Sequence, residues 1–183
     1  MIVVKGTEPR LLLTTRIGKE RATSEEVVSA LFDIDPEVYV EPLDNRGLLV
    51  VYSQIKDPFA LIDALITKRV SRVFNAIPVD TSCTARYEDI CRSCIELVLL
   101  RGFRLPIRFI ALCRKRGWEV DSCSRLVRYV GETIEKLGIG EVEFKHYDYI
   151  LRIEVVDNKA FLSLYERWRD SLTRISTRLS RTL

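Results

Sequence analysis

Short β-type runs and helical apolar patterns alternate in the order β-α-β-β-α-β over residues 1–80, an order that few folds accommodate. Residues 10–16 carry Leu11, Leu12 and Leu13, a run that suits a buried strand. Thr23, with Glu26 three positions later, has the spacing of a capping box. It predicts a helix bearing Val27, Val28, Leu31 and Phe32 on one side and stopped by Pro36. Residues 38–40 and 48–52 are β-rich and flank Asp44-Asn45-Arg46-Gly47, a turn cluster that predicts an antiparallel hairpin. Asp57-Pro58 opens a second helix, with proline at the first helical position and Phe59, Ile62, Leu65 and Ile66 on its buried face. Residues 70–77 then close the set as a strand that ends before Pro78.

The fold class expected is therefore α+β, beginning with a ferredoxin-like unit over residues 1–80: two helices on one face of a four-stranded sheet. Beyond a boundary near residues 80–84 the pattern changes. A helix is expected over 87–100 with Ile90, Cys94, Leu97 and Val98 on one stripe, followed by a strand over 107–113. A second helix over 124–137 places Val127, Val130, Ile134 and Leu137 together, and Gly138 ends it. Residues 142–144, 149–155 and 160–165 read as strands, the last two joined by Asp157-Asn158. Residues 166–183 set Trp168, Leu172, Ile175, Leu179 and Leu183 on one helical face, with Arg174, Arg178 and Arg181 elsewhere. That pattern predicts a docked C-terminal helix with a basic outer side.

No apolar run approaches the ~20 residues that span a bilayer. The first residues also lack the pattern of a signal peptide, because Lys5, Glu8 and Arg10 interrupt them. The expected location is cytoplasmic. Five cysteines, an odd number, argue against a secreted disulfide framework. Cys91 and Cys94 form a C-x-x-C to which Cys113 and Cys123 could add two zinc ligands, but Cys94 lies on the apolar stripe, where cysteine packs as a small hydrophobe. Neither a metal nor a cofactor is expected. His146 is the only histidine, and no nucleophile elbow or phosphate-binding loop is present. Gly138-Ile139-Gly140 follows a helix and precedes a strand, the reverse of a dinucleotide site. Such a chain reads as non-catalytic.

The net charge is only +3, but 21 of the 29 basic residues are arginine, whose planar fork suits phosphates and stacks on bases. Eight cations fall between Arg101 and Arg128, with Trp118 among them and only Glu119 and Asp121 opposing. A face of this kind can meet neighbouring phosphates, with the indole as a stacking platform. A solvated connection with a buried Trp118 would use the same residues.

Residues 77–85 (Ile-Pro-Val-Asp-Thr-Ser-Cys-Thr-Ala), Glu88-Asp89, the stretch Phe109 to Gly117, residues 148–155 and Ala160-Phe161-Leu162-Ser163 together resemble a THUMP domain. The likeness covers roughly residues 70–165, and a preceding ferredoxin-like unit is the usual neighbour of that domain. Residues 73–89 resemble in particular the stand-alone THUMP proteins that assist tRNA cytidine N4-acetylation. The resemblance implies an α/β THUMP domain over residues 81–165; the amphipathic basic helix over 166–183 rests on its periodicity alone. The resemblance also implies a partner tRNA, gripped at its acceptor end, and a non-catalytic adaptor role beside a separate modifying enzyme, an acetyltransferase. Arg114, Lys115 and Arg116 are the RNA-contacting residues by motif, and Arg86, Arg108 and Arg125 join them on charge alone. A THUMP adaptor for thiolation, methylation or pseudouridylation, and a ferredoxin-like regulatory module without RNA, are the competing readings.

Overall fold

A computed structural model describes residues 8–175. The chain divides into two compact units: Met1–Val79 with Ser171–Leu183, and Asp80–Asp170.

The first unit runs β1 (Glu8–Thr14), α1 (Glu20–Leu31), β2 (Tyr39–Leu43), β3 (Leu48–Ser53), α2 (Pro58–Thr67) and β4 (Asn75–Pro78), the element order expected from the sequence. Its sheet has the order β2-β3-β1-β4, every neighbour antiparallel. Leu11, Leu12 and Leu13 are fully buried in β1. Asp57 caps α2 by accepting the Phe59 N–H at 3.0 Å, with Pro58 at the first position.

Several local expectations fail here, where other partners or a turn compete with the pattern. The capping box does not form, and α1 begins a turn earlier, at Glu20. The Thr23 hydroxyl donates to the Lys19 carbonyl at 2.8 Å and meets the Thr15 hydroxyl at 2.9 Å. Glu26 instead accepts from the Ser71 backbone N–H at 2.8 Å and hydroxyl at 3.0 Å. A bond to the preceding helical turn occupies Thr23 and a partner 45 residues away occupies Glu26, so the cap is not made. The helix also ends at Leu31, before Pro36, and Phe32 is 55% exposed rather than buried. The strand expected over 70–77 shortens to β4 because α2 ends in a Schellman turn. Arg69 takes φ 55°, its N–H reaching Ile66 O at 3.0 Å and the Val70 N–H reaching Leu65 O at 3.1 Å. Val70 and Val73 are therefore buried in the connection.

The second unit runs β5 (Thr81–Thr84), α3 (Tyr87–Leu100), β6 (Ile107–Arg116), α4 (Cys123–Lys136), β7 (Gly140–Val142), β8 (Tyr149–Val156) and β9 (Lys159–Glu166). The sheet order is β5-β9-β8-β6-β7. β6 lies parallel to β7 and β8, and β9 antiparallel to β8 and β5. Ile107, Phe109, Leu151, Ile153, Val155, Leu162 and Leu164 pack with Ile90, Cys94 and Val98 of α3 and with Leu126, Val130 and Ile134 of α4. Leu126 thus replaces Val127 on the buried stripe and Leu137 is exposed. The two candidate stripes share Val130 and Ile134, and only packing distinguishes them. Gly138, at φ 67°, ends α4 in a second Schellman turn, its N–H to Glu135 O at 2.9 Å and that of Ile139 to Ile134 O at 3.4 Å. β7 starts two residues earlier than expected and leaves Phe144 outside it. β5 was not expected: Thr-Ser-Cys-Thr has no apolar alternation, and it is a strand because it pairs with β9.

A 3-10 helix spans Arg167–Thr173 where the amphipathic α-helix was expected to begin, and Trp168 is 66% exposed. Ile175 is buried. Leu179, Leu183, Arg178 and Arg181, which that expectation also used, lie outside the described residues. Among the described residues no helix is long and apolar enough to cross a membrane.

Candidate nucleic-acid interface

β6 carries most of the expected contact residues, and its alternation divides them. Ile107 and Phe109 face the helices, as does the side of the strand that bears Cys113. Arg108, Arg114 and Arg116 lie on the opposite side, and six residues of strand separate Arg108 from Arg114 by about 20 Å. They cannot meet the same phosphate.

Arg116 is committed inside the protein. Its Nη1 donates to Glu154 Oε2 at 2.9 Å, and Arg152 Nε donates to the other carboxylate oxygen at 3.0 Å. Glu154 is 1% exposed. Burial lowers the Arg116 guanidinium from its ordinary value, and Glu154 pulls the other way. Lys115 is likewise occupied, its ammonium donating to the carbonyls of Val120 and Asp121, both at 2.8 Å. These contacts shape the loop between β6 and α4.

Asp121 is the hub of that loop. It accepts from the Tyr87 hydroxyl and pairs with Arg125 in the first turn of α4. Chiefly the hydrogen bond from Tyr87 holds the Asp121 carboxyl below its ordinary value. Ser122 caps α4 by accepting the Arg125 N–H at 3.3 Å. The Ala85 N–H reaches Asn158 O at 2.9 Å and the Asp157 N–H reaches Arg116 O at 3.0 Å, which brings the β8–β9 turn to the same end of the sheet. Gly117, at φ 145°, lets the chain pass so close that a Cβ there would lie 3.1 Å from Asp157 Cα. One end of the second unit thus carries Arg86, Arg114, Arg125 and Lys159, and Trp118 in the loop there is 89% exposed. Arg86, Arg114 and Lys159 are exposed and have no ion pair among the described residues. Trp118 is exposed here and not a core residue.

Arg108 lies at the other end. It pairs with Asp148 through Nη2 at 2.8 Å and Nε at 2.9 Å, both partners about half exposed, an arrangement that solvent and salt weaken. Next to it stands a group the sequence reading missed. Arg167 stacks on Tyr147 at 4.4 Å, and its Nη1 reaches Lys145 O at 3.1 Å. Its backbone N–H reaches Asp148 O at 2.8 Å. Phe144, 73% exposed, and Trp168 flank this group, and His146 is exposed beside it. The available signal was the interleaving of aromatic and basic residues in Phe144-Lys145-His146-Tyr147 and Arg167-Trp168-Arg169.

Cys91 and Cys94 are buried in α3, and burial pushes both thiols up, which suits packing rather than ligation or nucleophilic work. Cys113 and Cys123 form a disulfide, Cα atoms 5.4 Å apart; the odd cysteine count argued only against a secreted disulfide framework and left such a bridge open. An unpaired remainder does not prevent one local bridge.

No protein-family description and no curated protein matches the chain. Solved structures do. PH1313 from Pyrococcus horikoshii Ot3 is similar at 19% identity and a TM-score of 0.66 over 87% of this chain. TrmN from Thermus thermophilus is similar at 18% and 0.58 over 84%, and a 4-thiouridine synthetase in complex with RNA and ATP at 15% and 0.58 over 86%. The chain spans about half the length of these structures, 56%, 44% and 41% respectively.

These likenesses correct the expectation of a non-catalytic protein. The same fold forms part of a chain named as a synthetase and of others described as methylases or methyltransferases. In those chains the likeness leaves more than half of the length outside it. A lack of catalytic motifs in a segment of this fold therefore carries no argument about catalysis. At these identities the likeness shows the fold: a mixed α+β architecture with two sheets, consistent with the THUMP-like domain expected from residues 70–165.

Proposed function

We infer that this chain holds tRNA for a base-modification reaction, gripping its acceptor end. The observation that carries the reading is the set of Arg86, Arg114 and Lys159, exposed and without ion pairs among the described residues, at the end of the unit that also bears the exposed Trp118. Cations of this kind neutralise phosphates and fix register, and an exposed indole stacks an unpaired base. Arg125 and Arg108 sit in exposed pairs that a phosphate can replace, while Lys115 and Arg116 act by holding the loop. The reading divides the chain into a ferredoxin-like unit over residues 1–80, a THUMP domain over 81–165 and a basic C-terminal extension over 166–183.

The resemblance of residues 73–89 favours N4-acetylation of cytidine as the reaction served, with the chemistry supplied by an acetyltransferase domain or partner. Thiolation is the second reading, favoured by the fold shared with a 4-thiouridine synthetase solved with RNA. Sequencing of RNA retained from native lysate, with nucleoside analysis after gene deletion, tests both. Loss of N4-acetylcytidine selects the first and loss of thiouridine the second. With about five phosphate contacts, affinity should fall roughly hundredfold between 50 and 200 mM salt. Retention of no tRNA, or binding indifferent to salt, sinks the reading.

A further inference from the structure

We propose that the Cys113–Cys123 disulfide is a redox-controlled staple on the basic loop, whose reduction loosens the loop and weakens its hold on RNA. The bond joins β6 to the first residue of α4 across a sequence separation of 10. The ring it closes carries Arg114 and Trp118 of the exposed set, together with Lys115 and Arg116, which hold the loop. The control of binding rests on the functional reading above; the staple itself does not.

Three observations single out this bond. First, besides the buried Val120, the close passage of Gly117 by Asp157 and the helix-start bonds of Ser122, the restraints on residues 117–122 are polar contacts of Lys115, Tyr87 and Arg125 with Asp121 and its neighbours, largely exposed and individually weak. The disulfide is the one covalent restraint among them. Second, Cys113 and Cys123 are partly exposed, so a thiolate can reach them, whereas Cys91 and Cys94 are buried and Cys83 lies on β5, with β9 and β8 between it and β6. Internal exchange is thereby disfavoured and an external dithiol is the fitting reductant. Third, Cys123 stands at the N-terminus of α4 with Arg125 two residues on, surroundings that favour a departing thiolate. The exchange balances as follows: a thiolate of the external dithiol attacks Cys113 Sγ, and the S–S bond breaks with the electron pair leaving on Cys123. The second thiol of the reductant then resolves the mixed disulfide. The reductant departs oxidised by two electrons, and both cysteine thiolates are free to take up protons.

Ordering a loop before binding removes an entropic cost from association. Alkylation of the native protein under denaturing, non-reducing conditions should modify Cys83, Cys91 and Cys94, and after dithiothreitol all five cysteines. Five modified without reductant would overturn the proposal. Reduction of the wild type, or the C113S/C123S double variant, should speed amide exchange in residues 117–122 and weaken tRNA binding about tenfold. The double variant should then ignore the redox state. Exchange and affinity unchanged by reduction refute the staple. A loop that loosens while RNA affinity stays constant sinks only the control of binding. A protein that retains no tRNA in either state sinks the functional reading and the control together, with the exchange measurement still deciding the staple.

Discussion

Glu154, withdrawn from solvent on β8, accepts from Arg116 at 2.9 Å, and this pairing makes the third member of the basic triplet structural. Removing one partner of a buried ion pair strands the other charge. Glu154→Gln should therefore destabilise the fold by about 3 kcal/mol, because Arg116 loses its buried anion and Arg152 keeps only the more distant Asp170, at 3.8 Å. Urea unfolding measures this. A change under about 1 kcal/mol would mean that the network relaxes into water, against the burial seen here.

Arg114 and Arg116, two positions apart, should behave oppositely. Arg114→Ala, and separately Arg86→Ala, should leave stability within about 0.5 kcal/mol. Each should weaken RNA retention and lower the slope of log K against log salt by about 1. Arg116→Ala should appear first in unfolding. A loss of binding on Arg116→Ala at full stability would place its guanidinium on the RNA and refute the division drawn here.

Gly117→Ala tests the close passage of the loop past the β8–β9 turn. At φ 145° an L side chain is strained, and the added Cβ would press on Asp157. A loss of about 1–3 kcal/mol in thermal unfolding is expected. A neutral outcome would show that the loop does not hold this conformation in solution.

Acid stability should carry the mark of Glu20. Its own backbone N–H and that of Gly47, the latter at 2.7 Å, hold the carboxyl below its ordinary value against the opposing effect of burial. A depressed carboxyl contributes stability that is fully present above the unfolded-state value, about 4.3, and disappears as pH falls through the folded one. Glu20→Gln should thus be less stable than the wild type at neutral pH. Unfolding curves at a series of pH values should bring the two together in strong acid. A gap that persists there would assign the loss to shape rather than charge.

Much of the architecture was legible in the residue order. The helix over 87–100 emerged with the bounds expected, and Asp57-Pro58 capped α2 as its chemistry requires. The errors fell where local signals had competitors. Thr23 and Glu26 had the spacing of a cap, but Lys19, Thr15 and Ser71 took their oxygens. Leu126 and Val127 were both apolar, and packing selected the former. β5 had no pattern to read, since only its neighbour makes it a strand.

The candidate site was less legible. The sequence by itself determined the succession of helices and strands, because the 3.6- and 2-residue periods and turn chemistry act between near neighbours. It also placed the cations in one stretch. Tertiary structure alone decided which of them remain free: the carboxylates that hold Arg108 and Arg116 arrive from 40 and 38 residues away. Coulomb attraction depends on distance in space and on the surrounding dielectric, and a linear order of charges specifies neither.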